Sequence, residues 1–250
     1  MTYRKGAERF YDLFGSKEDA SFYIELAQKH DDKALELGVG TARLAIQLAR
    51  AGIDTWGIDN SKHMLKAAEL NLEKEPKEVQ NRLQLEFADV RDFDLGEEFG
   101  LIYFPSFSFD HILSRKEQYR VLRQIRKHLK PDGVYAFDLA YISEVKAEKD
   151  WFVEKKGLEG DREVVRIGCN KTDPCRRLMS VYIWYEIYEK GKMLERYFEG
   201  GEVYIHSLEG IKTMLRETGY KIEAVYGDYD KNRLKKNSDK MIIVTTPSGK

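Results

Sequence analysis

The chain has 250 residues, 42% hydrophobic and 34% charged, with 42 Lys and Arg against 43 Asp and Glu for a net charge of −1. That length suits one elaborated domain or a domain with a small subdomain, and the composition excludes a disordered tail, a collagen-like fibre and a low-complexity segment. The charge balance argues against nucleic acid as an electrostatic partner, and no apolar run reaches the roughly 18 residues of a membrane helix.

The opening stretch, MTYRKGAERFYD, lacks the apolar centre of a secretory signal, which predicts a cytoplasmic protein with no membrane association. Two cysteines, Cys169 and Cys175, are too few for a disulfide framework. No His lies close enough to them to complete a zinc site, so no metal is expected. Residues 1–32 read as an N-terminal helical lid segment. Beyond them, short apolar runs alternate with helical patterns. Residues 34–37, 55–58, 83–87, 101–104 and 134–139 read as strands. Between the first two strands, residues 42–50 place Leu44, Ile46 and Leu48 around one turn of a helix. Ser61 caps a helix with Met64, Leu65, Ala68 and Leu72 on its inner stripe. Ser114 and Glu117 form a capping box ahead of Leu122, Ile125 and Leu129, and Pro131-Asp132-Gly133 closes that helix in a turn. Strand and helix alternating five times predicts an α/β fold: a doubly wound, mostly parallel sheet with helices on both faces.

The pattern changes near residue 150. Residues 163–169, 178–189 and 193–205 read as antiparallel strands, with Lys190-Gly191-Lys192 as a hairpin turn. In the second of these, Tyr182, Trp184, Glu186 and Tyr188 face one way and Val181, Ile183, Tyr185 and Ile187 the other. Residues 150–205 are thus an antiparallel β insertion, and with ten Lys and Arg against eleven Asp and Glu they make a poor nucleic-acid surface. Their aromatic row walls a small, cationic acceptor or, more plainly, fills an inter-sheet core. A helix returns over 207–218 with Gly219 as its cap, and strands over 221–226 and 241–245 finish the chain.

The strongest local signal is Ala34-Leu35-Glu36-Leu37-Gly38-Val39-Gly40-Thr41-Ala42, a strand that runs into two glycines and then a helix. Glycines there permit a sharp turn and a close approach of ligand to backbone. Nineteen residues past Gly40 stands Asp59 at the tip of the next strand, where a carboxylate can accept from both hydroxyls of a ribose. A dinucleotide-binding oxidoreductase would want a third glycine at position 43, which is Arg43. It would also place a pyrophosphate beside Glu36, a like-charge conflict. A ligand with positive charge and no phosphate suits Glu36 better.

Across these motifs the chain resembles the class I S-adenosylmethionine-dependent methyltransferases. The resemblance runs through Glu36-Leu37-Gly38-Val39-Gly40-Thr41, Gly57-Ile58-Asp59-Asn60-Ser61 with Met64-Leu65, and Phe87-Ala88-Asp89-Val90-Arg91. It continues through Ile102–Ser108 and Leu129–Gly133, covers 33–139 well and 204–244 more loosely. Ala42 stands where the family usually has a third glycine. The resemblance implies a Rossmann-like, S-adenosylmethionine-binding domain over 33–149 and 206–250, with strand order 3-2-1-4-5-7-6 and the last strand antiparallel. It implies an enzyme whose cofactor is S-adenosylmethionine. Glu36, Gly38 and Gly40 would line the methionine moiety, Asp59 and Asn60 the ribose, and Met64, Asp89 and Val90 the adenine. Phe104 would sit near the sulfonium, and Tyr11, in a segment that relatives close over the donor, would touch the cofactor. The insertion over 150–205 becomes an acceptor-side lid.

The motifs specify the donor and leave the acceptor open. Methyl transfer from a sulfonium needs alignment more than acid–base groups. His111, in the loop after the fourth strand, is the candidate base, and its alternative is a hydrogen bond to the loop backbone. Tyr141, just past the fifth strand, is the candidate acceptor contact. His206 reads as a packing or capping residue. The expected function is methylation of a small-molecule acceptor, nitrogen ahead of oxygen. RNA or protein methylation, or a non-catalytic module that binds the cofactor, are the alternatives. No oligomeric state follows from the sequence.

Overall fold

The computed structural model describes residues 8–15, 18–30, 33–142 and 148–249. They fall into two compact units: residues 17–143 with 206–250, and residues 1–16 with 144–205. Elements are numbered here along the whole chain. The larger unit holds α2 (Asp19–Lys29), β1 (Lys33–Leu37), α3 (Arg43–Arg50), β2 (Asp54–Asp59), α4 (Lys62–Leu72), α5 (Lys77–Gln80) and β3 (Leu83–Phe87). It continues with β4 (Phe99–Phe104), a 3-10 turn (Ser108–His111), α6 (Arg115–His128) and β5 (Leu129–Ala140), and closes with α7 (Leu208–Glu217), β10 (Tyr220–Tyr226) and β11 (Lys240–Pro247). The smaller unit holds α1 (Glu8–Phe14), β6 (Glu148–Glu159), β7 (Arg162–Asp173), β8 (Leu178–Glu189) and β9 (Lys192–Tyr204).

The seven strands of the larger unit lie in the order β3-β2-β1-β4-β5-β11-β10. The strands β1 to β5 run parallel, and β11 is antiparallel to both its neighbours. This is the order and direction expected. Burial on both faces explains why the strands read as unbroken apolar runs. Leu35, Leu37, Ile102, Phe104, Tyr135 and Phe137 face one core, and Ala34, Leu101, Tyr103, Val134 and Ala136 face the other. Register then brings the strand ends together: Leu37 pairs with Ile58, Asp59 with Phe87, and Phe104 with Phe137.

Ser61 caps α4 as expected, its hydroxyl accepting from the Met64 N–H at 3.4 Å. Two local expectations are corrected. Ser114 is the N-cap of α6 without a side-chain cap bond, and Glu117 faces Arg120 at 3.8 Å instead of reaching back. Pro131-Asp132-Gly133 does not end α6 in a turn. The chain passes from His128 directly into β5, and these residues form a bulge opposite Gly100. Gly133 is required there because a Cβ would stand 3.0 Å from the carbonyl oxygens of Phe99 and Gly100.

In the smaller unit, β6-β7-β8-β9 form an antiparallel sheet. The turn residues Lys190 and Gly191 both have positive φ, 49° and 78°, as a two-residue type I′ hairpin demands. One face of β8, Ile183, Tyr185 and Ile187, packs with Val164 against Phe10 and Phe14 of α1. The Phe10 and Tyr185 rings stack at 4.6 Å. The other face is no inter-sheet core: Tyr182 is exposed, Trp184 and Tyr188 half-buried, and the Arg196 guanidinium lies 3.9 Å from the centre of the Trp184 ring. Helices α1 and α2, read together from the sequence as one N-terminal segment, fall in different units. No helix among the described residues is long and apolar enough to cross a membrane.

Candidate active site

The loop after β1 is shaped by alternate left-handed residues: Gly38 at φ +65°, Gly40 at +56° and Ala42 at +61°. Only glycine adopts this region without cost, so Ala42 stands in a conformation where a glycine would rest unstrained. At Gly38 space matters as well, since a Cβ would lie 3.3 Å from the Phe104 ring and 3.7 Å from Ser108. The loop is pinned by the Val39 N–H donating to the Ile58 carbonyl at 2.9 Å. Gly57 lets Val39 sit there, because a Cβ on it would meet a Val39 methyl at 2.5 Å.

Asp59 joins this loop to the next. Its Oδ2 accepts from the Gly40 N–H at 2.9 Å and its Oδ1 from the Ser61 N–H at 2.8 Å. Burial pushes its carboxyl up, against the Gly40, Ser61 and Asn60 amides that hold it down. A carboxylate has about four lone-pair sites, so Asp59 keeps capacity for a further donor beyond these amides. Asn60 is exposed at the strand tip, while Met64 is buried in the first turn of α4.

Glu36 is turned inward. It is buried, accepts from the Tyr103 hydroxyl at 3.0 Å and from the Ala45 amide, and burial pushes its carboxyl up to about 8 despite these donors and the nearby Arg43. Arg43, at the position where a dinucleotide site would want glycine, forms a two-armed pair with the buried Asp19, one arm at 3.0 Å. Asp89, past β3, accepts from the backbone N–H of Arg91 at 2.9 Å and from its guanidinium, which holds its carboxyl below the usual range. Val90 packs partly buried against the core beside it.

The loop after β4 rests on Asp138 of β5. Ser106 and Phe107, both at φ +59°, donate their N–H groups to Asp138 Oδ1 and Oδ2, each at 3.0 Å. The hydroxyl of Tyr23 adds a bond at 3.2 Å and that of Tyr229 another. Burial pushes the Asp138 carboxyl up to about 6 against all four donors. His111, half-buried, ends the 3-10 turn that follows. Its neighbour Asp110 accepts from the Ala140 N–H at 2.9 Å, so the turn is bonded to the end of β5, one residue before the half-buried Tyr141.

Of the expected residues, Glu36, Gly38, Gly40, Asp59, Asn60, Met64, Asp89, Val90, Phe104, His111 and Tyr141 all lie at the carboxyl ends of neighbouring strands or in the first turns beyond them. Tyr11 lies on α1 of the smaller unit, half-buried. Sequence reasoning missed Asp138, Tyr23, Tyr103 and the Asp19–Arg43 pair. An acidic residue inside the apolar run 134–139 was the available signal.

Residues 34–133 match the family model for a methyltransferase domain. That stretch is a methyltransferase domain, and the sheet built around it has the strand order that the resemblance to the class I S-adenosylmethionine-dependent methyltransferases implies. A relative of this methyltransferase is YqeM of Bacillus subtilis (strain 168), whose own activity carries only a provisional assignment; it is 21% identical, over 88% of this chain and 86% of YqeM. Solved structures that share the fold include two methyltransferases. One is an S-adenosylmethionine-dependent methyltransferase from Clostridium acetobutylicum ATCC 824, with a TM-score of 0.81 and 22% identity over 96% of this chain and 97% of that one. The other is the sugar N-methyltransferase KedS8 from Streptoalloteichus sp ATCC 53650, with a TM-score of 0.77 and 18% identity over 100% and 95%.

The methyltransferase's own residues fit the donor. S-adenosylmethionine presents two ribose hydroxyls, a cationic methionine end and no phosphate. Asp59 offers unsaturated carboxylate oxygens at the strand tip, and Gly38 leaves the space that a side chain would fill. No group of three His, Cys, Asp or Glu among the described residues is placed to hold a metal ion.

Proposed function

We propose that this enzyme transfers the methyl group to an amino nitrogen of a small molecule. Bound S-adenosylmethionine supplies a methyl already activated on a sulfonium, so the protein must align the acceptor and exclude water. Asp59 would accept from the ribose hydroxyls while it keeps its bonds to the Gly40 and Ser61 amides. The backbone at Gly38 and Gly40 would line the methionine moiety, with Glu36 buried and bonded to the Tyr103 hydroxyl. Met64, Asp89 and Val90 would hold the adenine, and for Asp89 this means sharing its carboxylate with Arg91. Phe104 would wall the methyl, and His111 and Tyr141 would flank the acceptor.

One observation carries the preference for nitrogen over oxygen. A hydroxyl acceptor profits from a general base, and a histidine base works best when a carboxylate orients it. The carboxylate next to His111 in the chain is Asp110, and it is directed to the Ala140 N–H and towards His206. An amine that arrives neutral needs no such base. The product ammonium then loses its proton to His111 or to water. The charge-balanced surface argues against a polymer acceptor. KedS8, a sugar N-methyltransferase with this fold, makes amino sugars the first compounds to try.

The test is release of S-adenosylhomocysteine across matched amino sugars, the same sugars with hydroxyl in place of amine, and RNA. Turnover confined to the amines is the expected result. Turnover of the hydroxyl series or of RNA overturns the reading.

A further inference from the structure

The mechanism leaves one pair of buried titratable side chains unused. Asp110, in the 3-10 turn, and His206, just ahead of α7, are each about 2% exposed in their side chains, and Asp110 Oδ1 lies 3.7 Å from His206 Nε2. The other carboxylate oxygen of Asp110 accepts from the Ala140 N–H at 2.9 Å, whereas Oδ1 makes no hydrogen bond. Around them the site is apolar. The ring of Phe109, fully buried, lies 5.4 Å from the His206 ring and also packs on Phe104 and Phe137.

A buried carboxylate with one oxygen unserved is costly unless a proton or a cation meets it. Burial pushes the Asp110 carboxyl far up, and the nearby Asp138 adds to this. His206 is the group that faces the unserved oxygen, and Asp138 is the second acid acting on the same region. A carboxyl pushed up in this way keeps its proton, and the imidazole is the group that faces it. At 3.7 Å the separation exceeds a hydrogen bond, so the contact is a polar approach with room to close.

The location gives the pair a consequence. Asp110 precedes His111 in the same turn, Ala140 precedes Tyr141, and His206 precedes Ser207, the N-cap of α7. We infer that Asp110 and His206 are positioning residues: a buried pair that fixes the 3-10 turn against β5 and so sets where His111 and Tyr141 stand relative to the acceptor. His206, facing Oδ1, is what holds Asp110 away from His111. This inference rests on the reading that His111 and Tyr141 flank the acceptor.

The test combines histidine NMR on the full chain saturated with S-adenosylhomocysteine and kinetics on the full chain supplied with S-adenosylmethionine. The chain has five histidines, so His206→Gln assigns the key resonance directly. In the wild type the His206 ring should keep one protonation state through the neutral range. In Asp110→Asn the His206 and His111 resonances should both shift. The same variant should lose up to about tenfold in kcat, as a small misplacement of reacting groups does, with S-adenosylhomocysteine affinity nearly unchanged. The double variant Asp110→Asn/His206→Gln should be no worse than the worse single one, since the two act as a unit. If Asp110→Asn does not fold, His206→Gln carries the same kinetic and His111 expectations.

A wild-type His206 that titrates normally, or losses that multiply in the double variant, would overturn the pair. So would a loss of donor affinity equal to the loss of kcat, which marks general damage. If instead the acceptor binds elsewhere, His111→Gln and Tyr141→Phe leave turnover intact. That outcome concerns the function proposed above, and the His206 and His111 resonances still decide whether the pair exists and holds the turn.

Discussion

Replacing Asp59 by alanine removes two things at once. The Gly40 and Ser61 amides lose their acceptors, at 2.9 and 2.8 Å, and the ribose loses a charged acceptor. An amide left without a partner in a half-buried site costs about 1–3 kcal/mol, and bonds from a ligand to a charged group are of similar size. The stability loss should therefore be about 1–3 kcal/mol, seen as a lower melting temperature. The affinity loss should be of the same order, about 5- to 150-fold in Kd. Isothermal titration with S-adenosylhomocysteine measures the second quantity and thermal denaturation the first. Asp59→Asn should fall between, because its amide nitrogen confronts one of the two N–H donors with a third. An Asp59→Ala protein that is folded and binds S-adenosylhomocysteine within about twofold of wild type would refute the reasoning, for twofold is under half a kcal/mol.

Gly38→Ala should cost about 1–2 kcal/mol in stability from its φ of +65°, and should weaken S-adenosylhomocysteine binding by crowding the Phe104 ring at 3.3 Å; denaturation and titration together check it. Gly57→Ala must displace a Val39 methyl at 2.5 Å and should lose about 1–3 kcal/mol, with a visible fall in melting temperature. Burial raises the Glu36 carboxyl from 4.5 to about 8, so its contribution is complete below the unfolded value and is lost as pH rises through the folded one. Stability should decline towards alkaline pH by at most about 1.4 kcal/mol per unit from this group, and Glu36→Gln should flatten the decline; an unchanged slope would contradict the assignment.

The sheet was legible because parallel strands buried on both faces read as apolar runs, and because Gly38, Gly40 and Asp59 fall at fixed places around the first two strands. What escaped has a common cause. Asp138 meets Tyr23 across 115 positions and Ser106 across 32, Arg43 meets Asp19 across 24, and His206 meets Asp110 from the far side of the insertion. No local period marks such partners. Strand β6 was missed for another reason: Trp151, Val153 and Leu158 are more than half exposed among charged neighbours, so no apolar alternation shows. Ser114 and Glu117 have the spacing of a capping box, yet Glu117 faces Arg120. Spacing permits such a box without imposing it.

Mass spectrometry of an amino sugar after incubation with methyl-labelled donor and the wild-type enzyme tests the central claim most directly, since it identifies the atom that receives the methyl. The account predicts a single labelled methyl on nitrogen, formed at a rate that His111→Ala lowers by about tenfold or less. Label on a hydroxyl oxygen, with His111→Ala costing about 10²–10⁴-fold as loss of a general base does, would contradict it.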